Sequence, residues 1–174
     1  MKFNITKTAL AFATASLLAS AAHAAAPSTV NLQFTGALET NTCTPSWSGS
    51  DVTTDFGKVG LIDGNVGTPL GEVKPVTLKL TGCNVAGLTV TYNGTEDESS
   101  GLFKNAGTAT DVALKLTAPG GGAIVPGGQR NITPTSNTAD FSVNSQLVLN
   151  KTVTDKSQVA GTFTSVVTAD IIYK

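Results

Sequence analysis

One histidine, His23, and two cysteines, Cys43 and Cys83, are the whole stock of imidazole and thiol in this 174-residue chain. A hydrolytic triad needs a base, and a structural zinc site built on two thiolates needs nitrogen ligands to complete it. His23 cannot serve either purpose in the exported protein. It lies in Ala22-His23-Ala24, a small-x-small cleavage motif that follows a positive start (Lys2, Lys7) and the apolar run Ala9 to Ala19. That order is the layout of a secretory signal, and the run is too short to span a bilayer as a permanent helix. Cleavage after Ala24, with Ala26 as the alternative, removes the histidine and leaves about 150 residues, the size of one domain. Two cysteines in an exported chain then read as one disulfide. Closing a loop of about 40 residues contributes roughly 4 kcal/mol on the chain-entropy model.

The remaining chemistry-bearing residues point to no reaction. There is no Gly-x-Ser-x-Gly elbow. Most of the 12 acidic residues fall in loops or at outward strand positions. The run Glu96-Asp97-Glu98 lacks the spaced oxygen ligands and glycine of a calcium loop, and reads as a solvated loop. Pro119 to Gly122 and Pro126 to Gly128 have neither the Lys-Ser/Thr ending of a phosphate loop nor a strand-to-helix setting, so they read as turns. Trp47, in the loop Thr44 to Ser50, could stack on a sugar, but a lone loop tryptophan is expected to cover a sandwich edge. Without Lys2 and Lys7 the chain carries 9 basic against 12 acidic residues, a net of −3, and Arg130 is its one arginine. No basic stripe exists for nucleic acid or an anionic membrane. The expectation is a protein with no catalytic residues, no metal and no cofactor: not an enzyme.

The elements expected to hold these residues are strands. Val30 to Leu38 alternates apolar and polar residues, with Gly36 interrupting the apolar series. Phe56 to Val59 reads as a short strand or bend, and Leu61 to Gly71, with Pro69 and three glycines, as loop. Val76 to Thr81 alternates cleanly, with Val76, Leu78 and Leu80 inward. Leu88 to Tyr92 does the same and runs into Asn93-Gly94, a tight-turn signal. Val112 to Leu116 is another strand, and Phe141 to Val143 with Leu147 to Leu149 makes one long or two short ones. Past the signal no segment carries helical periodicity, and short strands between turn-rich segments predict an all-β sandwich of six or seven strands.

The last stretch, Gly161 to Lys174, is the longest and most regular. Phe163, Ser165, Val167, Ala169, Ile171 and Tyr173 lie on one face, mostly apolar, and Thr164, Val166, Thr168, Asp170 and Ile172 on the other. The sequence ends one residue after Tyr173, so the expectation is that no later segment covers the outer edge of this strand. A long apolar edge left open is an aggregation hazard unless something is meant to pair with it.

These marks together resemble the structural subunits, or pilins, of the chaperone–usher fimbriae of Gram-negative bacteria, the type 1-like fimbrial protein family. The resemblance rests on the exported start and on Val30-Leu32-Phe34-Gly36-Leu38 ahead of Cys43. It rests equally on the Cys43/Cys83 pair, Phe56-Gly57-Lys58-Val59, Leu78-x-Leu80-x-Gly82-Cys83, and Ala109-x-Asp111-Val112-Ala113-Leu114-x-Leu116. The ending is its most specific part: penultimate Tyr173, the alternation before it, and Gly161 fourteenth from the end. Ser165 on the apolar face and the polar stretch Glu96 to Ser100 depart from the pattern. The resemblance implies an incomplete immunoglobulin-like β-sandwich lacking its final strand, completed by a donor strand from a chaperone or a neighbouring subunit. It implies a signal peptide at 1–24, a donor extension at 25–40 and a pilin domain at 41–174. The donor residues would be Val30, Leu32, Phe34, Gly36 and Leu38. The receiving strand would be Gly161, Phe163, Val167, Ala169, Ile171, Tyr173 and Lys174. The implied function is a fimbrial subunit, most naturally the major shaft pilin, polymerising head-to-tail into an adhesive filament on the cell surface. Its implied partners are other pilin subunits, a periplasmic chaperone and an outer-membrane usher, with no nucleic acid and no membrane span. The alternatives are a minor or adaptor pilin, and a self-complemented secreted β-sandwich that acts as a binding module.

Overall fold

The computed structural model describes Gln33 and residues 42–98 and 101–174. The signal at 1–24 and the donor residues Val30, Leu32, Phe34, Gly36 and Leu38 lie outside the described residues. Among those described are eleven strands and no α-helix; the one helical turn is the 3-10 turn Lys156–Gln158, capped by the Asp155 carboxylate, which accepts from Ser157 N. In chain order the strands are β1 (Thr44–Pro45), β2 (Pro69–Val76), β3 (Lys79–Thr81), β4 (Leu88–Asn93), β5 (Phe103–Lys104) and β6 (Val112–Thr117). They continue as β7 (Ala123–Ile124), β8 (Gly128–Ile132), β9 (Thr138–Asp140), β10 (Val143–Leu149) and β11 (Thr168–Tyr173).

All pairings are antiparallel. One sheet runs β2-β10-β6-β5, with β7 beside β6; a second runs β11-β4-β8; a third, short one runs β1-β3-β9. The period of two decides what each strand buries. Leu88, Val90 and Tyr92 of β4 are buried, as are Val112, Leu114 and Leu116 of β6 and Val143, Leu147 and Leu149 of β10. Leu70, Leu80, Phe103 and Phe141 complete one apolar cluster. The Cys43–Cys83 disulfide ties the chain ahead of β1 to the loop after β3.

Four local expectations need correction. Val76 to Thr81 is not one strand. Val76 ends β2 opposite Val143, and Lys79 starts β3 opposite Asp140. The partner strand breaks at the same level, between β9 and β10, and the corner is bridged by Phe141 N to Leu78 O and Leu78 N to Ser142 Oγ, each 3.0 Å. Residues 69–71, expected as loop, begin β2 instead, with Leu70 buried. The prolines of β2, Pro69 and Pro75, are tolerated because β2 is the outer strand of its sheet. Asn93-Gly94 closes no hairpin: β4 lies between β11 and β8, and the chain beyond Gly94 crosses to a bridge between Glu96 and Phe103. The turn with two left-handed residues is Ser136-Asn137, between the bridged Thr135 and Thr138. The acidic run is not wholly solvated either, since Asp97 is buried and accepts from Asn150 Nδ2 at 2.9 Å.

Arg130 is consumed structurally. Its Nη1 donates to the Tyr92 hydroxyl at 3.2 Å and to the carbonyls of Phe141 and Ser142 at 3.4 Å. Tyr92 donates in turn to Phe141 O at 3.1 Å. Burial raises the Tyr92 phenol above its ordinary value of 10.0, against a smaller downward pull from Arg130. A phenol that holds its proton more tightly when folded contributes stability that is intact below about pH 10 and is lost as pH rises through the raised value. Tyr92→Phe is therefore expected to cost about 1 kcal/mol of hydrogen bonding near neutrality and to remove this part of the alkaline loss. Denaturation midpoints measured against pH check it; identical alkaline limbs in the two proteins would rule the phenol out.

Candidate functional site

The alternating face of the last stretch is the starting point. β11 pairs with β4 from Thr168↔Asn93 to Tyr173↔Leu88, and its other edge has no partner among the described residues. Ahead of it, residues 162–164 are held by a polar clasp rather than a ladder. Thr108 and Thr162 exchange N–H to Oγ1 bonds at 3.0 and 2.9 Å, Ala109 N donates to Thr162 O at 3.0 Å, and Asn105 Oδ1 accepts from Thr164 N at 2.9 Å. Backbones meet closely here. A Cβ on Gly161 would fall on the Thr108–Ala109 peptide, 2.6 Å from Ala109 Cα. Gly161→Ala is expected to destabilise the chain by about 1–3 kcal/mol, the usual cost of overpacking, as a fall in the urea midpoint. An unchanged midpoint would mean the clasp opens freely.

Facing this strand is a second wall, residues 47–63, which joins no ladder among the described residues. It turns at Gly57, whose N–H donates to Asp55 Oδ1 at 2.7 Å and whose φ of 64° favours glycine. Phe56 to Val59 is thus a bend. Aromatic contacts fix the wall: Trp47 meets Phe141 edge-on at 5.8 Å, and Phe56 meets Phe163 edge-on at 6.0 Å.

Between the walls lies a groove of about 1160 Å³. Phe163, Ser165, Val167, Ala169 and Ile171 line one side, Trp47, Phe56, Val59 and Leu61 the other, and Leu70, Leu114, Leu116, Phe141, Val143 and Leu147 lie beneath. The side chains of Phe163, Val167, Ala169 and Ile171 pack on the core yet stay half-buried. Inward positions of a closed sandwich would be buried; among the described residues no layer covers these.

Of the sequence-derived positions, Gly161, Phe163, Val167, Ala169 and Ile171 line the groove, whereas Tyr173 and Lys174 do not. Lys174 N donates to Gly87 O, and its Nζ to Asn131 Oδ1, each at 2.9 Å. The sequence reading missed the whole second wall as a binding surface, and the clasp. The ionisable groups on the groove are Asp51 and Asp55 on the wall and the buried Tyr92. Among the described residues no three His, Cys, Asp or Glu side chains cluster to hold a metal, and no helix is long and apolar enough to cross a membrane. The arrangement is suited to accepting an extended apolar segment: it offers one open strand edge and a row of apolar seats.

No family model matches the sequence, and no curated protein is significantly similar to it. Solved structures are similar in fold. The P pilus rod subunit PapA superposes with a TM-score of 0.57 at 14% identity, over 76% of this chain and 99% of that one. A chaperone–usher pilus described for the uncoiling of its rod gives 0.60 at 14% identity, over 86% and 98%. The CupB6 tip adhesin of Pseudomonas aeruginosa gives 0.51 at 10% identity, over 61% of this chain and 31% of the adhesin. These neighbours are pilus proteins rather than enzymes. The chain has the fold of chaperone–usher pilus subunits, an all-β, incomplete immunoglobulin-like sandwich.

Proposed function

We propose that this chain is a structural fimbrial subunit that polymerises head-to-tail, each groove taking the segment Val30–Leu38 of the next copy. The observation that carries the reading is the open apolar groove beside the unpaired edge of the last strand. Strand addition would draw affinity from main-chain hydrogen bonds and register from alternating seats. Val30, Leu32, Phe34 and Leu38 would each contribute roughly 1.5–3 kcal/mol on burial, before ordering costs. A contact between unlike surfaces that does not close on itself builds a filament.

On this reading residues 1–24 are the export signal, 25–40 the donor extension and 41–174 the receiving domain. The subunit is a shaft pilin in a surface fimbrium. A periplasmic chaperone would fill the groove before assembly and an outer-membrane usher would oversee exchange. The test is a detergent-stable ladder of subunit multiples from cells that make the fibre. Val167→Asp, which sets a charge in the groove, is expected to collapse that ladder to monomer. A ladder unaffected by the substitution would sink the groove as the polymer contact.

A further inference from the structure

We propose that Asn93 is a site of spontaneous deamidation, and that the product weakens the seam joining β11 to β4. Asn93-Gly94 is the only Asn-Gly pair in the chain. Asn93 is exposed at the end of β4, opposite Thr168, the first residue of β11. The chemistry needs only water. The Gly94 backbone nitrogen attacks Asn93 Cγ, the Cγ–Nδ2 bond breaks, and ammonia leaves with the amide proton. Water then opens the five-membered imide at either carbonyl, leaving aspartate or isoaspartate at position 93. A following side chain hinders the attack, and glycine has none.

The fold does not allow that protection. A Cβ at Gly94 would lie 2.8 Å from Phe103 Cδ1 and 3.1 Å from Val166 O. The packing that requires glycine at 94 therefore keeps Asn93 labile. The consequence falls on one contact: Asn93 Nδ2 donates to Asp170 Oδ2 on β11 at 2.6 Å. Deamidation replaces this donor with a carboxylate facing a carboxylate, and like charges across a strand pair destabilise it. Among the described residues Asp170 forms no ion pair that could compensate. Arg130, the charged residue of β8, is committed to Tyr92 and the carbonyls of Phe141 and Ser142, and Lys174 reaches Asn131. Glu96, beyond β4, accepts from Gly101 N. The weakened strand is a wall of the groove, but the inference does not depend on what the groove binds.

The test ages the purified chain in mildly alkaline buffer and maps amide-to-acid conversion by peptide mass spectrometry. Conversion at Asn93 is expected to be several-fold faster than at Asn84 or Asn105, and absent in Asn93→Gln. Asn93→Asp is expected to lower the melting temperature by about 2–4 °C near neutral pH. The deficit should shrink as pH falls through the carboxylate range, where the pair shares a proton and recovers its hydrogen bond. Asp170→Asn in the same chain is expected to restore it. Melting of the aged parent chain gives the same reading should Asn93→Asp fail to accumulate. Conversion at Asn93 no faster than at Asn84 and Asn105 overturns the site. A deficit indifferent to pH, or not relieved by Asp170→Asn, overturns the coupling to β11.

Discussion

Removing residues 25–38 is expected to leave a chain that folds when a strand is supplied but forms no polymer. The domain at 42–174 holds its own apolar cluster, with Leu70, Leu80, Val90, Phe103 and Leu149 each at 1% exposure or less. Among the described residues nothing covers the half-buried Phe163, Val167, Ala169 and Ile171. A peptide of residues 25–40 added in trans should fill the groove, raise stability with the logarithm of its concentration once above its dissociation constant, and stop assembly at the monomer. The readouts are native mass spectrometry for the one-to-one complex and a detergent ladder for the polymer. If the truncated chain stays unfolded with peptide in excess, residues 25–40 are not the strand that completes this groove. A truncated chain that still makes the ladder would place the polymer contact elsewhere.

The second large effect concerns the disulfide. Replacing Cys43 and Cys83 with serine is expected to cost about 4 kcal/mol, on the chain-entropy value for a 40-residue separation. Against a total of roughly 5–15 kcal/mol for a domain, that loss takes much of the stability of a protein with an open groove. The structure also localises it. Cys43 leads into β1, whose two residues pair with Thr81 and Leu80, with Ser46 N donating to Lys79 O at 3.0 Å. The neighbouring Thr42 N donates to Asn84 Oδ1 at 2.8 Å. Past Ser46 the wall at 47–63 joins no ladder until the bridge at Gly64, so the disulfide anchors its near end. Urea midpoints with and without reductant check the magnitude. A change below about 1 kcal/mol would mean the β1 contacts hold that end unaided.

How much of this could be read beforehand follows from which forces act locally. β4, β6 and the last stretch were legible because each has one face on the core, and the pleat writes that into every second residue. β2 was not: Pro69, Gly71 and Pro75 are loop residues by composition, and become strand residues only because β2 lies at a sheet edge, a fact set by β10. The receiving stretch was legible as a strand only in its second half: Thr168–Tyr173 form β11, whereas residues 161–167 join no strand. The half-burial of its inward side chains was not legible, since burial depends on what lies opposite. The second wall carries Trp47, Phe56, Val59 and Leu61 without a repeat, because it follows no regular backbone. The clasp joins Thr108 to Thr162 across 54 positions and leaves no local signature. Asn93-Gly94 carries a tight-turn signal in the sequence, although the glycine there is required by the packing of Phe103 instead.

The two walls differ from the rest of the sandwich in how their peptide groups are engaged. Amides in β4 and β10 sit in central strands, while those of 47–63 join no ladder and β11 is bonded along one side. In deuterated water the wall at 47–63 should take up label first, and β4 and β10 last. An inserted strand would silence exchange along both walls at once and leave the central strands unchanged. The molecule thus carries an isotopic record of whether its groove is filled, readable residue by residue without any tag.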